Sequence, residues 1–274
     1  MSTVFKWDTK DMEHLLASCE TDGILPYVEK YMPAPSYILE SGCGLGRYVK
    51  YLHDRGWKVV GLEINKDAVE ATKKYWPELE IIQGDAVESP FKDNVFDGVI
   101  SLGVIEHWTE GPNAAIADIY RTLKPGGTAL ITTPCVNTIR NIKHKIWWDE
   151  RKDKEAYSNW RKNNKPLPNR LNKKYKFYTF LAFGDFFEYR FTKKEFRDEV
   201  LKSGLKIIEH KPSAVIDGLY HDLNPGKKLV KFEDWKFKPS ISGKAINKAL
   251  ATFPFFHPHM QIIIARKPAK SKTK

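Results

Sequence analysis

The chain has 274 residues, of which 42% are hydrophobic and 13% aromatic, a composition that excludes an intrinsically disordered protein. No apolar run approaches the roughly 20 residues that span a bilayer, and the amino terminus lacks the apolar core of a signal peptide. The three cysteines, Cys19, Cys43 and Cys135, lack the spacing of a disulfide framework or a zinc site. These features predict a cytoplasmic protein with reduced thiols and no metal site.

Charge is divided unevenly along the chain. Residues 1–136 contain 13 Lys and Arg against 20 Asp and Glu, a net charge of −7, whereas residues 137–274 contain 32 against 14, a net charge of +18. A basic surface attracts phosphates, acidic glycans and anionic lipid headgroups over about a Debye length, roughly 8 Å at physiological salt. The alternative is that the excess charge serves solubility alone.

The first half of the chain has an alternating pattern of helices and strands. Two short helices are expected between Asp8 and Met32, closed by prolines. The predicted strands that follow are 37–40, 58–64, 79–84, 96–102 and 128–133, and the predicted helices between them are 47–55, 66–76 and 113–123. Strands that alternate with helices predict βαβ units and a parallel sheet.

The second half loses this regularity between Asn137 and Arg190. Because fifty residues far exceed the usual loop, this basic, aromatic insertion is predicted to have structure and to serve as a lid or substrate platform. Its candidate substrate contacts are His144, Trp147, Trp148, Tyr157, Trp160, Tyr175, Tyr178 and Tyr189, which could equally form a small core. A helix is predicted over 191–204, with Thr192 and Glu195 as a capping box, followed by strands 205–210 and 259–266.

Together these elements predict an α/β fold: a Rossmann-like, doubly wound, mostly parallel seven-stranded sheet with helices on both faces and an insertion after the fifth strand. The expected organisation is an N-terminal helical cover (1–36), a ligand-binding core (37–136), the insertion (137–190), a C-terminal part of the same domain (191–267) with a second, irregular basic insertion (213–258), and a disordered tail (268–274).

A glycine-rich loop follows the first predicted strand. Gly42, Gly44 and Gly46 lie where a buried strand turns into a helix, so the backbone can approach a ligand closely there. Glu63 ends the second strand, where a carboxylate can bind both ribose hydroxyls, and Asp85 follows the third strand. The third glycine of a dinucleotide loop would fall on Arg47, which argues against a pyrophosphate-binding loop.

Ordered sequence blocks over about residues 37–134 carry a family resemblance. The blocks are ILESGCGLGRY, VVGLEIN, IIQGDAVESPF, FDGVISLGVIEHW, LKPGG and TALITTP, and FTKKEFRDEVLKSGLKIIEH is more weakly similar. In this respect the chain resembles class I S-adenosylmethionine-dependent methyltransferases, in particular the group related to quinone-biosynthesis and small-molecule methyltransferases. The resemblance implies S-adenosylmethionine as the cofactor.

The resemblance also implies a role for each matching position. Glu40, Gly42 and Gly44 would hold the methionine part of the cofactor, and Glu63 the ribose. The adenine would contact Ile64, Asp85 and Ala86, while Ser101 and Leu102 would close the pocket near the sulfonium. His107 is a candidate general base, although it could instead be a loop residue that packs beside the cofactor.

Three functions fit these observations. The first is a methyltransferase for a small molecule, a glycan or a lipid precursor, with an anionic acceptor favoured by the basic half. The second is an RNA methyltransferase, although no RNA-binding domain or Asn-Pro-Pro-Tyr-type motif is found. The third is a non-catalytic, S-adenosylmethionine-binding regulator of a partner. Peripheral membrane contact is a further hypothesis, because Lys244–Phe256 mixes basic and apolar residues.

Overall fold

The structure is a computed structural model that describes residues 10, 12–147, 172, 174–175, 177–180, 186–233, 236–250 and 252–269. Its strands are β1 (Tyr37–Ser41), β2 (Lys58–Glu63), β3 (Glu80–Gln83), β4 (Phe96–Leu102), β5 (Leu123–Pro134), β6 (Tyr178–Phe180), β7 (Phe186–Tyr189), β8 (Lys206–Ser213), β9 (Val230–Glu233), β10 (Lys236–Pro239) and β11 (Met260–Arg266). Its helices are α1 (Met12–Ser18), α2 (Leu25–Tyr31), α3 (Arg47–His53), α4 (Lys66–Tyr75), α5 (Asn113–Thr122), α6 (Thr138–Trp147), α7 (Lys193–Lys202), α8 (Val215–Asp222) and α9 (Ile241–Leu250), with 3₁₀ turns at Ile105–His107 and Pro225–Lys227.

A seven-stranded sheet forms the centre of the molecule, in the order β3-β2-β1-β4-β5-β11-β8. The pairs among β1 to β5 are parallel, whereas β11 is antiparallel to both β5 and β8. This arrangement confirms the predicted Rossmann-like α/β fold with a mostly parallel sheet. The carboxyl ends of β1, β2 and β4 therefore meet at one edge of the sheet, where ligands of such folds bind.

Two hydrophobic clusters cover the two faces of the sheet. Because side chains alternate along a strand, Ile38 belongs to one cluster and its neighbour Leu39 to the other. The first cluster takes buried residues from α1 to α4, and the second takes them from α5 and α7. The glycine loop and the helix that follows it are thus fixed against a packed core.

The stretches that the sequence pattern marks as irregular contain regular structure. Within 137–190, the structure forms α6 and an antiparallel β6–β7 hairpin, and within 213–258 it forms α8, the β9–β10 hairpin and α9. The prediction of an irregular 213–258 stretch is therefore wrong. These elements are short and partly exposed, so their hydrophobic periodicity covers too few residues to stand out in the sequence.

Several details of the predicted elements can be compared directly. Thr192 caps α7 as predicted: its Oγ1 accepts from the Glu195 N–H at 3.2 Å, and Glu195 Oε2 accepts from the Thr192 N–H at 2.8 Å. Trp148, Tyr157 and Trp160 lie outside the described residues, as do the side chains of His144 and Trp147 and residues 270–274 of the predicted tail. In the part of the chain that the structure covers, no helix combines the length and apolar content needed to cross a bilayer.

Candidate functional site

A cavity of about 320 Å³ opens at the carboxyl ends of β1, β2 and β4. This volume lies within the range of ligand sites, about 300 to 1,000 Å³. Most of the lining comes from the glycine loop, the ends of these strands and the turn after β4. The lining residues are Leu15, Glu40, Gly42, Cys43, Gly44, Leu45, Arg47, Leu62, Glu63, Ile64, Gly84, Ala86, Leu102, Gly103, Val104, His107 and Trp108.

Most of the residues singled out from the sequence line this one cavity: Glu40, Gly42, Gly44, Glu63, Ile64, Ala86, Leu102 and His107. Asp85 and Ser101 do not. Asp85 is half-buried, and its Oδ1 accepts from the Val87 N–H at 3.0 Å, so it fixes its own turn. Ser101 is 1% exposed and precedes Leu102 on β4, so the alternation of side chains points it to the opposite face of the sheet.

Gly42 must be glycine for two independent reasons. Its φ of +79° lies in the left-handed region, and a Cβ there would stand 2.5 Å from Cγ2 of Val104. The N–H groups of Gly42 and Cys43 donate to the Leu62 carbonyl at 2.8 and 2.9 Å, which ties the loop to the end of β2. The loop backbone is therefore held tightly against the cavity.

Glu63 joins the end of β2 to the same loop. It is 7% exposed, and its Oε2 accepts from the Gly44 N–H at 2.8 Å while Oε1 accepts from the Asn65 N–H at 2.9 Å. Each carboxylate oxygen can accept a second hydrogen bond, so both oxygens can also accept hydrogen bonds from a ligand. A fixed, partly satisfied carboxylate of this kind suits a pair of neighbouring hydroxyl groups.

Glu40 lies at the other end of the loop and is 3% exposed. Its Oε2 accepts from the Val49 N–H in α3 at 3.1 Å. Burial raises the pKa of this carboxyl to about 8, although the Arg47 guanidinium partly offsets the effect. A buried acid with little compensation is a natural partner for a cationic ligand group.

Arg47 is a cavity residue to which the sequence analysis assigns no ligand. Its Nη1 donates to Asp22 Oδ2 at 2.7 Å and to Ser18 Oγ at 2.8 Å, which fastens the N-terminal helices to the start of α3. Leu15, from α1, also lines the cavity. The N-terminal segment therefore covers the glycine loop. The sequence analysis missed this role of Arg47 because its partner, Asp22, lies 25 residues earlier in the chain and belongs to no local motif.

His107 lies in the 3₁₀ turn after β4 and is 6% exposed. Its Nδ1 is 2.7 Å from the Phe187 carbonyl oxygen of β7, and because a carbonyl only accepts, Nδ1 carries the hydrogen. Burial lowers the pKa of His107, so the ring is neutral near pH 7 and Nε2 is the nitrogen that can take up a proton. The insertion thus reaches the site through β7.

Residues 39–131 match a protein family described as "Methyltransferase domain". The chain contains a methyltransferase domain over these residues. This match covers β1 to β5 and the cavity they form. The cofactor that such a domain implies is S-adenosylmethionine, which is named in one of its relatives.

Curated relatives resemble the methyltransferase domain over part of their length. A probable S-adenosylmethionine-dependent methyltransferase of Mycolicibacterium smegmatis is 33% identical over 35% of this chain and 37% of its own length. Demethylmenaquinone methyltransferase of Renibacterium salmoninarum is 34% identical over 34% of this chain and 39% of its own. A tRNA (carboxymethyluridine(34)-5-O)-methyltransferase of Arabidopsis thaliana is 28% identical over 47% of this chain and 28% of its own. The match thus spans well under half of each relative.

The fold extends beyond the methyltransferase domain match. A crystal structure of a Pyrococcus horikoshii protein superimposes with a TM-score of 0.56 over 95% of this chain and 93% of its own, at 18% sequence identity. At that identity the similarity concerns the fold. It includes the C-terminal strands that complete the sheet.

The cavity of the methyltransferase domain fits its cofactor in shape and charge. Gly42 has no Cβ, so it leaves space beside the loop. The glycine loop and the buried carboxylates of Glu40 and Glu63 line the same cavity. Glu40 would supply an acid for an ammonium group, and Glu63 would supply acceptors for ribose hydroxyls. Aliphatic side chains of Leu62, Ile64 and Ala86 line the remaining wall, which suits a flat heterocycle.

Proposed function

We propose that the protein transfers a methyl group from S-adenosylmethionine to a small molecule, a glycan or a lipid precursor. One observation carries the proposal: Glu40, the glycine loop and Glu63 line an enclosed cavity whose far end is formed by Gly103, His107 and Trp108. A cofactor held by the acids would direct its sulfonium toward that far end. The acceptor would then approach from the side of the insertion.

Each cavity residue receives a role in this proposal. Glu40 pairs with the amino group of the methionine part, and Gly42 and Gly44 hold the same part of the cofactor. Glu63 binds the ribose hydroxyls, and Ile64 and Ala86 pack against the adenine. Leu102 closes the pocket near the sulfonium. The assignments of Asp85 to the adenine and Ser101 to the pocket stay predictions, because neither side chain lines the cavity.

The reaction places modest demands on the protein. When bound, S-adenosylmethionine supplies a methyl group on a positively charged sulfur, which is activated for in-line displacement. The residues around Gly103 and His107 then need to hold the acceptor close and aligned, and to keep water out. The buried Trp108 and the half-buried Leu102 supply such a wall.

His107 is proposed as the general base for an acceptor that loses a proton. Its neutral ring and the Phe187 contact that sets the tautomer support this role. If His107 acts as the base, His107→Ala lowers turnover by about 100-fold, the lower range for a general base, while cofactor affinity stays unchanged. Turnover at the wild-type level with an identified acceptor would reject the role.

A nucleic-acid acceptor is the second candidate. The basic half of the chain and the relative that is named a tRNA methyltransferase favour it. A cavity of about 320 Å³ favours a small acceptor instead, since a base in RNA must be extruded to reach such a site. A non-catalytic regulator is the third alternative, and it would bind the cofactor without turnover.

Peripheral membrane contact stays a prediction for the segment that includes α9. Ile241 is 90% exposed and Phe253 is 64% exposed, with Lys244 and Lys248 between them. Exposed apolar groups among lysines are typical of surfaces that bind anionic lipid. Co-sedimentation with phosphatidylglycerol vesicles tests the contact, and equal recovery with neutral vesicles would contradict it.

An untargeted methylation screen tests the proposed function. The protein is incubated with S-adenosylmethionine carrying a deuterated methyl group and with metabolite, lipid and RNA fractions, and mass spectrometry identifies products that gain that group. Glu63→Gln serves as the matched control, because it keeps the shape of the side chain and removes its charge. We expect a product that depends on Glu63 in a small-molecule or lipid fraction. Cofactor binding without any labelled product would instead support the regulatory alternative.

A further inference from the structure

Cationic and histidine side chains from four separate segments meet beside the cavity. Arg140 comes from α6, Arg190 directly follows β7, His221 comes from α8 and His259 precedes β11. The rings of His221 and His259 stack with centroids 4.7 Å apart, and Arg140 Nη2 is 2.6 Å from His259 Nδ1. We refer to these four residues as the basic cluster.

Arg140 is the fixed centre of the basic cluster. Its side chain is 12% exposed, and its Nε lies 3.0 Å from Asp222 Oδ2. Its Nη1 donates to the Cys135 carbonyl at 2.9 Å and to the His259 carbonyl at 3.3 Å. Arg140 therefore links the end of β5 to α8 and to the start of β11, and its own donors are largely used.

Arg190 has donors to spare. Its Nε donates to Glu188 Oε1 at 2.9 Å, and its side chain is 34% exposed. Among the residues that the structure describes, neither Nη of Arg190 has a hydrogen-bond partner. Held at Nε, and with neither Nη bonded to a described residue, the guanidinium presents a planar pair of donors.

The basic cluster lies on the side of the cavity where the acceptor is expected. Phe187, three residues before Arg190, contacts His107 through its carbonyl, and His107 lines the cavity. Cε of Met260, next to His259, would lie 3.8 Å from a Cβ on Gly103, another lining residue. Two of the segments that carry the cluster thus contact residues that line the far end of the cavity.

The cluster also creates a positive field. Burial, together with the charges of Arg140, His221 and Arg190, lowers the pKa of His259 to about 3. Glu188 and Asp222 partly balance the two arginines. Glu188 is the competing anion, since it occupies the Nε donor of Arg190.

We propose that the basic cluster is an acceptor subsite in which Arg190 binds an oxyanion, a carboxylate or a phosphate, of the molecule to be methylated. The Nη donors of Arg190 match the paired oxygens of such a group. Arg140 adds long-range attraction and holds the stacked histidines in place. The link to methylation rests on the proposed function, whereas the anion site itself does not.

Calorimetric titration with pyrophosphate and with malonate, in the presence of S-adenosylhomocysteine, tests the subsite. We expect Arg190→Gln to weaken binding by about tenfold or more, the size of one charge-assisted contact. Glu188→Gln should strengthen binding, because it removes the competing carboxylate. Arg266→Gln is the matched control: this exposed arginine lies at the far end of β11, at the opposite edge of the sheet, and should leave binding unchanged.

Equal affinities for the anions in wild type and Arg190→Gln would overturn the proposal. A loss of affinity in Arg266→Gln as large as that in Arg190→Gln would also overturn it, because it would indicate diffuse attraction by a basic surface. The same variants are titrated with S-adenosylmethionine, whose binding should not change. If anion binding depends on Arg190 but the methylation screen yields no product, the proposed function fails and the subsite stands. If a neutral acceptor is methylated equally well by Arg190→Gln, the subsite fails and the proposed function stands.

Discussion

Glu40 illustrates how a single buried side chain can report ligand binding. Among the described residues its carboxyl accepts one hydrogen bond, from Val49, and burial raises its pKa to about 8, so the protonated form predominates at neutral pH. An ammonium group beside it would stabilise the charged form and lower the pKa again. Binding of the cofactor should therefore expel a proton from the site.

Calorimetry in buffers of different ionisation enthalpy measures that proton. At pH 6.5, below the usual α-amino pKa of about 7.7, we expect release of about one proton per S-adenosylmethionine bound. Affinity should rise as the pH increases toward 8, because the competing proton becomes easier to remove. Glu40→Gln is the control and should abolish both effects. An unchanged proton count in this variant would contradict the assignment of Glu40.

The sequence predicts these residues well where the chemistry is local. Gly42, Gly44 and Glu63 follow a short motif, and all three line the cavity. Asp85 and Ser101 do not line it, because membership of a motif does not specify the direction of a side chain. Arg47 gains its role from Asp22, and its partner is set by how the helices pack rather than by spacing.

At the level of elements, the β6–β7 hairpin braces the turn that carries His107. Tyr189 is buried, and its hydroxyl donates to the Thr109 carbonyl at 2.6 Å while accepting from the Asn172 N–H at 2.7 Å. Its ring packs against Tyr175 and Phe191. The hairpin therefore fixes the segment after β4 from outside the matched methyltransferase domain.

Tyr189→Phe tests this bracing. Loss of two buried hydrogen bonds should reduce the free energy of unfolding by about 1 to 2 kcal/mol, measured by chemical denaturation. Tyr75→Phe is the matched control: Tyr75 is 48% exposed, and its hydroxyl bonds only to Glu13, so we expect less than about 0.5 kcal/mol. Equal losses in the two variants would show that the hairpin contributes no special support.

The elements divide according to how far their partners lie along the chain. β1 to β5 and their helices follow clear periodicities and short connections, so the sequence predicts them closely. The hairpins and helices of 137–190 and 213–258 depend on partners that are distant in the chain. Asn137 donates a hydrogen bond to Asp222, and Gly218 packs so closely on His257 that a Cβ on Gly218 would stand 1.7 Å from the His257 carbonyl oxygen. The helix and strand propensities of the local sequence do not encode such tertiary contacts.

At the scale of the whole molecule, the acidic first half lines the cavity, and the basic second half contributes the basic cluster, which we propose to bind the acceptor. The charges of −7 and +18 thus fall on different functional regions. A strongly basic region also attracts polyanions without specificity. Binding of RNA alone is therefore a weak indication of an RNA substrate.

The salt dependence of RNA binding separates these cases. For a small acceptor, we expect bulk tRNA and heparin to bind similarly at 50 mM salt, and both to lose roughly 10³-fold or more in affinity by 200 mM, as counterion release requires for about six phosphate contacts. Fluorescence anisotropy measures both. Retention of tRNA, but not heparin, at 200 mM salt would favour the RNA methyltransferase alternative.

The reversed direction of β11 has a consequence for how the molecule is assembled. β11 lies between β5 and β8, both of which precede it in the chain, so the sheet has an open slot until residues 260–266 have been synthesised. Because β11 is antiparallel to β5, it is the start of β11, directly after His259, that lies at the cavity edge of the sheet. Closure of the sheet and completion of the basic cluster are therefore a single late folding event, and a nascent chain that can already form the glycine loop still lacks the basic cluster.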